Sequence, residues 1–168
     1  TEGTSGSAVT ALMEGTRPVL VEVQALAAPS GYGTPQRVAT GYDGRRLALL
    51  LAVLDKRAGL SFGQLDVFLN VVGGVRLQEP AGDLAVAAAL ASSVYDRALP
   101  HEAVFVGEVG LGGEIRPVSQ ADRRLAEAAN MGMTTAYLAE RAVPRRVPKG
   151  LTAVGVRTIS DLFERVFQ

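Results

Sequence analysis

Hydrophobic and polar positions alternate in the first part of the chain and then change to helical spacing. Residues 17–28 carry valine at every second position from 19 to 23, which predicts a β-strand. Turn-forming residues follow at 29–33, and residues 34–40 are predicted to be the return strand of a hairpin. Beyond Asp43, a good helix cap, leucines recur every three or four positions. This spacing predicts a helix over residues 44–57 with one face in the core.

The rest of the chain repeats the change between strand and helix spacing. The predicted strands cover residues 66–72, 103–109, 113–118, 135–138 and 151–156. The predicted helices cover residues 80–97, 120–130 and 160–166, the last capped by Ser160. Strands interleave with helices and no repeat is visible, which predicts a single α+β domain over residues 15–168. Residues 1–14 begin with small polar side chains and are predicted to be the linker where a fragment of a longer protein starts.

One stretch, residues 73–99, stands at the centre of this pattern. Two glycines lead through Pro80 into an alanine-rich helix that has almost no polar face. Proline suits a first helical turn, where its missing N–H would have no partner. In an enzyme, this layout would present Ala81 to a substrate, and a methyl group offers no chemistry there.

Composition excludes several classes of protein and site. The 168 residues suffice for one ordinary domain, and the 17 basic and 17 acidic side chains cancel. There is no cysteine and one histidine, so disulfides are excluded and a zinc site is not expected. No apolar run is long enough to cross a membrane and no signal peptide opens the sequence, so we expect a cytoplasmic protein.

Candidate catalytic groups have simpler structural interpretations. Ser92 and Ser93 lie inside the buried helix, where a serine usually bonds the preceding turn. Ser119 precedes a helix and fits a cap. Glu79 and Asp83 flank the start of the alanine-rich helix, where acids stabilise the positive end of the helix dipole.

The basic residues allow two interpretations, a solvated face or a surface that contacts DNA phosphates. Arg45 and Lys56 are eleven residues apart, which places them about 16 Å apart along one helix face, and Arg46 and Arg57 repeat this relation. Aromatic residues are few, so phosphate contacts would dominate any nucleic-acid binding. The DNA-binding candidates are Arg37, Arg45, Arg46, Lys56, Arg57, Arg76, Arg116, Arg123 and Arg124.

Three long motifs in order resemble a known family. They are VEVQALAAPS, GYDGRRLALLLAVLDKRAGLSFGQLDVFLNVVGGVRLQEPAGDLAVAAALASS and VFVGEVGLGGEIRPVSQADRRLAEAA. Together they are similar to the C-terminal, Lon-protease-like domain of the RadA (Sms) family of bacterial DNA-repair proteins. The resemblance covers residues 15–141 and extends weakly to the end. It implies the Lon protease proteolytic-domain-like fold, also described as ribosomal S5 domain 2-like.

The resemblance also locates a degenerate catalytic dyad. Lon proteases use a serine within Gly-Pro-Ser-Ala-Gly, which matches residues 79–83 here and places Ala81 at the serine position. Their lysine follows a Pro-Ile-Gly-Gly-Leu-Lys pattern, which matches residues 117–122 and places Asp122 at the lysine position. A methyl group and a carboxylate cannot replace a nucleophile and its base. The resemblance therefore implies a chain without catalytic residues.

The resemblance also implies a function, namely that of a hexameric scaffold that contacts DNA. In the family this domain follows a zinc finger and a RecA-like ATPase domain, and the whole protein is a DNA-dependent ATPase that drives branch migration during DNA repair and recombination. ATP, magnesium and zinc are expected in those preceding domains, and no cofactor or metal in this chain. The expected partners are DNA, further copies of the chain, the RecA-like domain of the same protein and the RecA recombinase, with no membrane.

Two other functions remain open at this point. The chain could be an assembly module that forms the ring while the other domains bind all the DNA. It could also be a residual serine peptidase that uses Ser119 or another hydroxyl.

Overall fold

The computed structural model describes residues 3–167, which form a mixed sheet with helices on both faces. The strands are β1 (Ser7–Glu14), β2 (Arg17–Pro29), β3 (Arg37–Thr40), β4 (Leu65–Val71), β5 (Ala103–Val106), β6 (Glu108–Val109), β7 (Ile115–Arg116), β8 (Thr135–Ala139) and β9 (Thr152–Val156). The α-helices are α1 (Gly44–Ala58), α2 (Asp83–Tyr95), α3 (Ala121–Asn130) and α4 (Ile159–Val166). Short 3₁₀ turns cover Val72–Gly74, Pro80–Gly82 and Glu140–Ala142.

The main sheet has seven strands in the order β3-β4-β2-β1-β5-β8-β9, and β6 and β7 form a separate hairpin. β2 pairs antiparallel with β1 and β4. The β3–β4, β1–β5, β5–β8 and β8–β9 pairs are parallel. The α+β class predicted from the sequence agrees with this mixed sheet and its helices.

The first strand corrects the predicted domain boundary. The sequence predicts a linker over residues 1–14, but residues 7–14 form β1, the middle strand of the sheet, which pairs with β2 over eight residues. Their small side chains fit because Ala8 and Ala11 are buried at the middle of the fold. Residues 1 and 2 of the predicted linker lie outside the described residues.

Two serines near the C-terminal end of α2 bond the segment before β1 and the end of β2. The Ser92 hydroxyl accepts a hydrogen bond from the Gly6 N–H at 2.8 Å and donates to the Arg97 carbonyl. The Ser93 hydroxyl accepts from the Ala27 N–H at 2.9 Å. Both serines have structural roles, as predicted, but they bond other segments rather than the preceding turn of their own helix.

The two faces of the sheet have separate cores. On one face α1, α2 and α4 pack over strand residues such as Phe105 and Tyr137. On the other face α3 packs over the alternate residues of the same strands, such as Val104 and Leu138. This division follows from the strand geometry, because successive side chains point to opposite faces.

Most helices begin and end close to the residues that their sequence signals predict. The Asp43 carboxylate accepts hydrogen bonds from two N–H groups of the first turn of α1, and Gly59 ends the helix in the left-handed conformation. α2 is buried along most of its length because its alanines allow close approach of the sheet. Its first predicted turn is 3₁₀, so the α-helix begins at Asp83 rather than Pro80.

Three local predictions are wrong. β3 pairs in parallel with β4, so it is not the return strand of a hairpin with β2. Thr158, rather than Ser160, caps α4 by accepting the Asp161 N–H. Gln120 occupies the cap position of α3 without a side-chain bond, so Ser119 is not its cap.

No helix among residues 3–167 is both long enough and apolar enough to cross a membrane.

Thr10 provides a test of the core beneath α2. Its hydroxyl is fully buried and has no hydrogen-bond partner among the described residues. Because an unsatisfied buried hydroxyl destabilises the folded state, we expect Thr10→Val to raise the free energy of unfolding by about 1 kcal/mol in urea titrations. The same change at the exposed strand residue Thr152 serves as the control and should have little effect. A loss of stability in Thr10→Val would show that the hydroxyl is satisfied.

Candidate functional site

The start of α2 is the position where a catalytic serine would stand in the resembled fold, and its backbone is fixed on both sides. The Gly107 N–H donates to the Ala81 carbonyl at 2.9 Å, and the Leu84 N–H donates to the Gly107 carbonyl at 3.0 Å. At Gly82 a Cβ atom would lie 2.4 Å from a Leu77 methyl carbon, so only glycine fits without rearrangement. The turn is therefore held by the strand segment after β5.

Ala81 itself is packed rather than presented. The residue is 2% exposed and forms a small apolar cluster with Ala11 and Val106. Asp122, the matching position for the lysine, is exposed in the first turn of α3. The two positions thus combine a buried methyl group with an exposed carboxylate.

Asp83 forms the main polar contact beneath the helix start. The residue is 1% exposed, and its carboxylate accepts hydrogen bonds from the Tyr42 hydroxyl at 2.9 Å and from the Arg46 Nε at 2.7 Å. It also pairs with the Arg46 Nη2 and accepts from the Val109 N–H at 3.3 Å. One carboxylate therefore joins α1, α2 and β6.

The electrostatics of this cluster keep its protons in place. Burial, and then the negative charge of Asp83, raise the pKa of the Tyr42 hydroxyl far above its usual value. The hydrogen bond to Asp83 raises the pKa of Arg46 further above its already high value. Tyr42 therefore stays a neutral donor and Arg46 a cation, so neither can act as a general base near neutral pH.

A second ion pair lies on the other side of the turn. Arg124 is 2% exposed and pairs with the Glu79 carboxylate, which also accepts the Met13 N–H at 3.3 Å. The Arg124 guanidinium donates to the Ala11 carbonyl at 2.8 Å and the Ser119 carbonyl at 2.9 Å. Arg124 thereby links α3 to β1 and to the turn before α2.

These contacts give two of the nine DNA-binding candidates acidic partners within the fold. Arg46 and Arg124 neutralise Asp83 and Glu79, so their charges serve the fold rather than a partner. This corrects the interpretation of Arg124 as a DNA contact, because a buried ion pair cannot exchange its partner for a phosphate without a large loss of stability. The charge of Arg46, whose side chain is one-third exposed, is balanced by the buried Asp83.

Two more candidates have local partners at the surface. Arg37 donates to the Phe62 carbonyl at 2.8 Å and to the Leu65 carbonyl. Arg116 lies 3.0 Å from Glu114 and 3.9 Å from Glu108. A hydrogen bond from the backbone N–H of Glu114 itself, and then the Arg116 guanidinium, lower the pKa of the Glu114 carboxyl.

The remaining candidates are exposed, and the fold separates them. Arg45, Lys56 and Arg57 lie on α1, which covers one face of the sheet, and Arg76 lies in the loop before α2. Arg123 lies on α3, on the opposite face, and donates to the Thr16 carbonyl at 2.9 Å. The structure therefore does not bring the predicted cations together into one surface.

A groove of about 270 Å³ runs between α1 and the β6–β7 hairpin. Leu49 and Leu111 are its most exposed apolar residues, and Arg46 and Arg116 lie along it with their acidic partners. The arginine charges in this groove are thus already balanced. No cluster of three or more potential metal-ligating side chains occurs among residues 3–167.

Comparison with known proteins identifies relatives along almost the whole chain. It is 49% identical over 160 residues to the DNA repair protein RadA of Escherichia coli, which covers 95% of this chain and 35% of the relative. It is 48% identical over 165 residues to RadA of Brucella abortus, covering 98% of the chain and 35% of the relative. The match to RadA of Streptococcus pneumoniae is 46% over 167 residues, which are 99% of the chain and 40% of that protein.

The chain is homologous to RadA. This confirms the resemblance carried by the three motifs and extends it beyond residues 15–141. The chain spans only 35–40% of the length of these RadA relatives. No family model matches the chain.

Sequence reasoning missed the partners of Asp83 and Glu79, although a signal was present in this RadA homologue. Asp83 precedes an almost continuous apolar helix, and an acid buried there requires a cationic partner. A role at the helix dipole accounts for an exposed acid, but it does not compensate the burial of a carboxylate. The sequence therefore indicates that Asp83 needs a cationic partner, but it does not identify which basic residue that partner is.

Asp83 provides a test of this cluster. Asp83→Asn removes the charge that balances Arg46, whose side chain is one-third exposed. We expect the free energy of unfolding to fall by about 2–3 kcal/mol, less than for a fully buried pair because water reaches the arginine. Urea titration measures the change, and Asp55→Asn on the exposed side of α1 is the matched control. Equal stability of the two variants would contradict the structural role of Asp83.

Proposed function

We propose that this chain is the non-proteolytic, Lon-protease-like domain of a RadA-type DNA repair and recombination ATPase. The observation that carries this proposal is the 46–49% identity to RadA proteins over 95–99% of the chain. The domain would act as a hexamer scaffold and as a platform for double-stranded DNA while recombination intermediates undergo branch migration. The rest of such a protein would supply the DNA-dependent ATPase, with its ATP, magnesium and zinc, in the cytoplasm.

The Lon-like fold is part of the proposal. Its support is local, namely a glycine-led turn and Pro80 that start a buried helix next to the strand segment at Gly107. This arrangement would place a serine at position 81 if one were present. In this chain residue 81 is an alanine.

Loss of peptidase activity follows from the two positions of the dyad. Ala81 supplies no hydroxyl, and Asp122 supplies no amine that could activate one. The cation beside the turn on the α3 side is Arg124, which pairs with Glu79 and supplies a guanidinium rather than an amine. We therefore propose that the site has become a structural joint.

Contact with DNA is supported by the names of the relatives and by exposed positive charge on both faces of the sheet, and the ring is what the resemblance implies. The other copies of the chain, the RecA-like domain and the RecA recombinase are the proposed protein partners. The alternative is a pure assembly module, in which the other domains hold the DNA. The ion-paired state of Arg46 and Arg124 favours this alternative slightly, since it removes two cations from the available surface.

Peptidase activity can be tested directly. We expect no turnover of an unfolded protein substrate by the chain, and none by the Ala81→Ser/Asp122→Lys variant. The reason is that a hydroxyl at position 81 would be enclosed with Ala11 and Val106, out of reach of a substrate. Gel or fluorescence assays of substrate cleavage measure the result. Turnover by the unmodified chain that disappears in Ser119→Ala would instead establish a residual serine peptidase.

Assembly and DNA binding can be measured on the same sample. Light scattering should give a mass about six times the 17.5 kDa of one chain. Fluorescence anisotropy should show duplex binding that weakens by at least about tenfold between 50 and 200 mM salt, because phosphate contacts release counterions. A ring without DNA affinity at low salt would favour the assembly module. A monomer without DNA affinity would contradict both functions.

A further inference from the structure

The segment between β8 and β9 has the highest density of unbalanced positive charge in the sequence. Residues 141–149 contain four basic side chains and no acidic one, in a chain whose net charge is zero. All four of these side chains are exposed, and they are Arg141, Arg145, Arg146 and Lys149. None of these four residues is among the nine DNA-binding candidates named from the sequence.

The backbone of this segment is fixed by its apolar residues. Ala142, Val147 and the buried Leu151 pack against the core on the α3 side of the sheet. The Leu151 N–H donates to the Pro148 carbonyl at 3.1 Å, and Pro144 further restricts the chain. The cations therefore project from a pre-ordered loop, which lowers the entropy cost of binding a ligand.

The neighbouring acid does not cancel this charge. Glu140 immediately precedes the segment, and its carboxylate already pairs with Arg157 from the start of the α4 connection. That hydrogen bond also raises the pKa of Arg157. The four cations beyond Glu140 have no acidic partner among the described ion pairs.

The competing surface on α1 is less suitable. Its cations are interspersed with Asp43, Asp55 and the buried Asp83, so the local charge is close to balanced. It also lies across the sheet from residues 141–149, and a rigid duplex contacts one face of a small domain at a time. Arg123 on α3 shares the face of the basic segment.

We propose that residues 141–149 are the element that binds the phosphate backbone of nucleic acid, on the α3 face of the sheet. This inference rests on the proposed DNA-binding function and assigns it to a surface. Arginine and lysine suit phosphate oxygens, and the segment contains no aromatic side chain that could stack on a base. Binding is therefore independent of base sequence and strongly dependent on salt.

The experiment compares two triple variants that remove the same charge. Arg145→Ala/Arg146→Ala/Lys149→Ala alters the segment, and Arg45→Ala/Lys56→Ala/Arg57→Ala alters the α1 surface. Binding of each to a fluorescein-labelled 30-base-pair duplex is followed by anisotropy across a salt series, with circular dichroism to check folding. We expect the segment variant to bind at least about tenfold more weakly, with a salt slope shallower by about two to three. The α1 variant should bind within about twofold of the unmodified chain.

Three results would overturn the assignment. If the α1 variant loses affinity and the segment variant does not, DNA binding survives but belongs to the other face. If the unmodified chain does not bind the duplex at low salt, the DNA-binding function itself fails. If polyglutamate binds as tightly as the duplex, the segment is a site for acidic protein.

An Arg145→Lys/Arg146→Lys variant should retain most of the affinity, because it keeps the charge while it changes the side-chain shape.

Discussion

The buried carboxylate of Asp83 is the contact on which the arrangement of the α1 side depends. An isolated charge in this position would cost several kcal/mol, so the fold has to bring a cation and further donors to it. Arg46 from the first turn of α1, Tyr42 just before that helix and a backbone N–H from β6 provide these groups. The relative positions of α1, α2 and the β6–β7 hairpin are therefore set together by one side chain.

The Glu79–Arg124 pair does the same for the other face. It joins the turn before α2 to α3 and β1, across the strand that passes through the middle of the sheet. With two ion pairs and the backbone bonds to Gly107, the start of α2 is held from both faces. The turn before α2 therefore connects the helices on the two faces of the sheet. Ala81 suits this position because its methyl group packs without needing a hydrogen-bond partner.

The two-faced sheet also decides which charges can act together. Of the nine candidate cations, Arg46 and Arg124 form ion pairs within the fold, and the exposed ones are divided between opposite faces of the sheet. The basic segment before β9 differs, since apolar residues lie between its cations and anchor the segment on one side of the sheet. Side chains adjacent in sequence can share a surface without help from the fold, whereas distant ones cannot.

The sequence by itself determined the elements whose signals are local. The capped α1, the buried α2 and the alternating strand β4 follow from periodicity, glycine and capping residues, which act within a few positions of the chain. Tertiary structure alone decided that residues 7–14 are the central strand, that β3 lies parallel to β4, and that Arg46 and Arg124 are the partners of Asp83 and Glu79. These features depend on pairing between residues far apart in the chain, and the free energy of such a pair depends on burial that only the assembled fold creates.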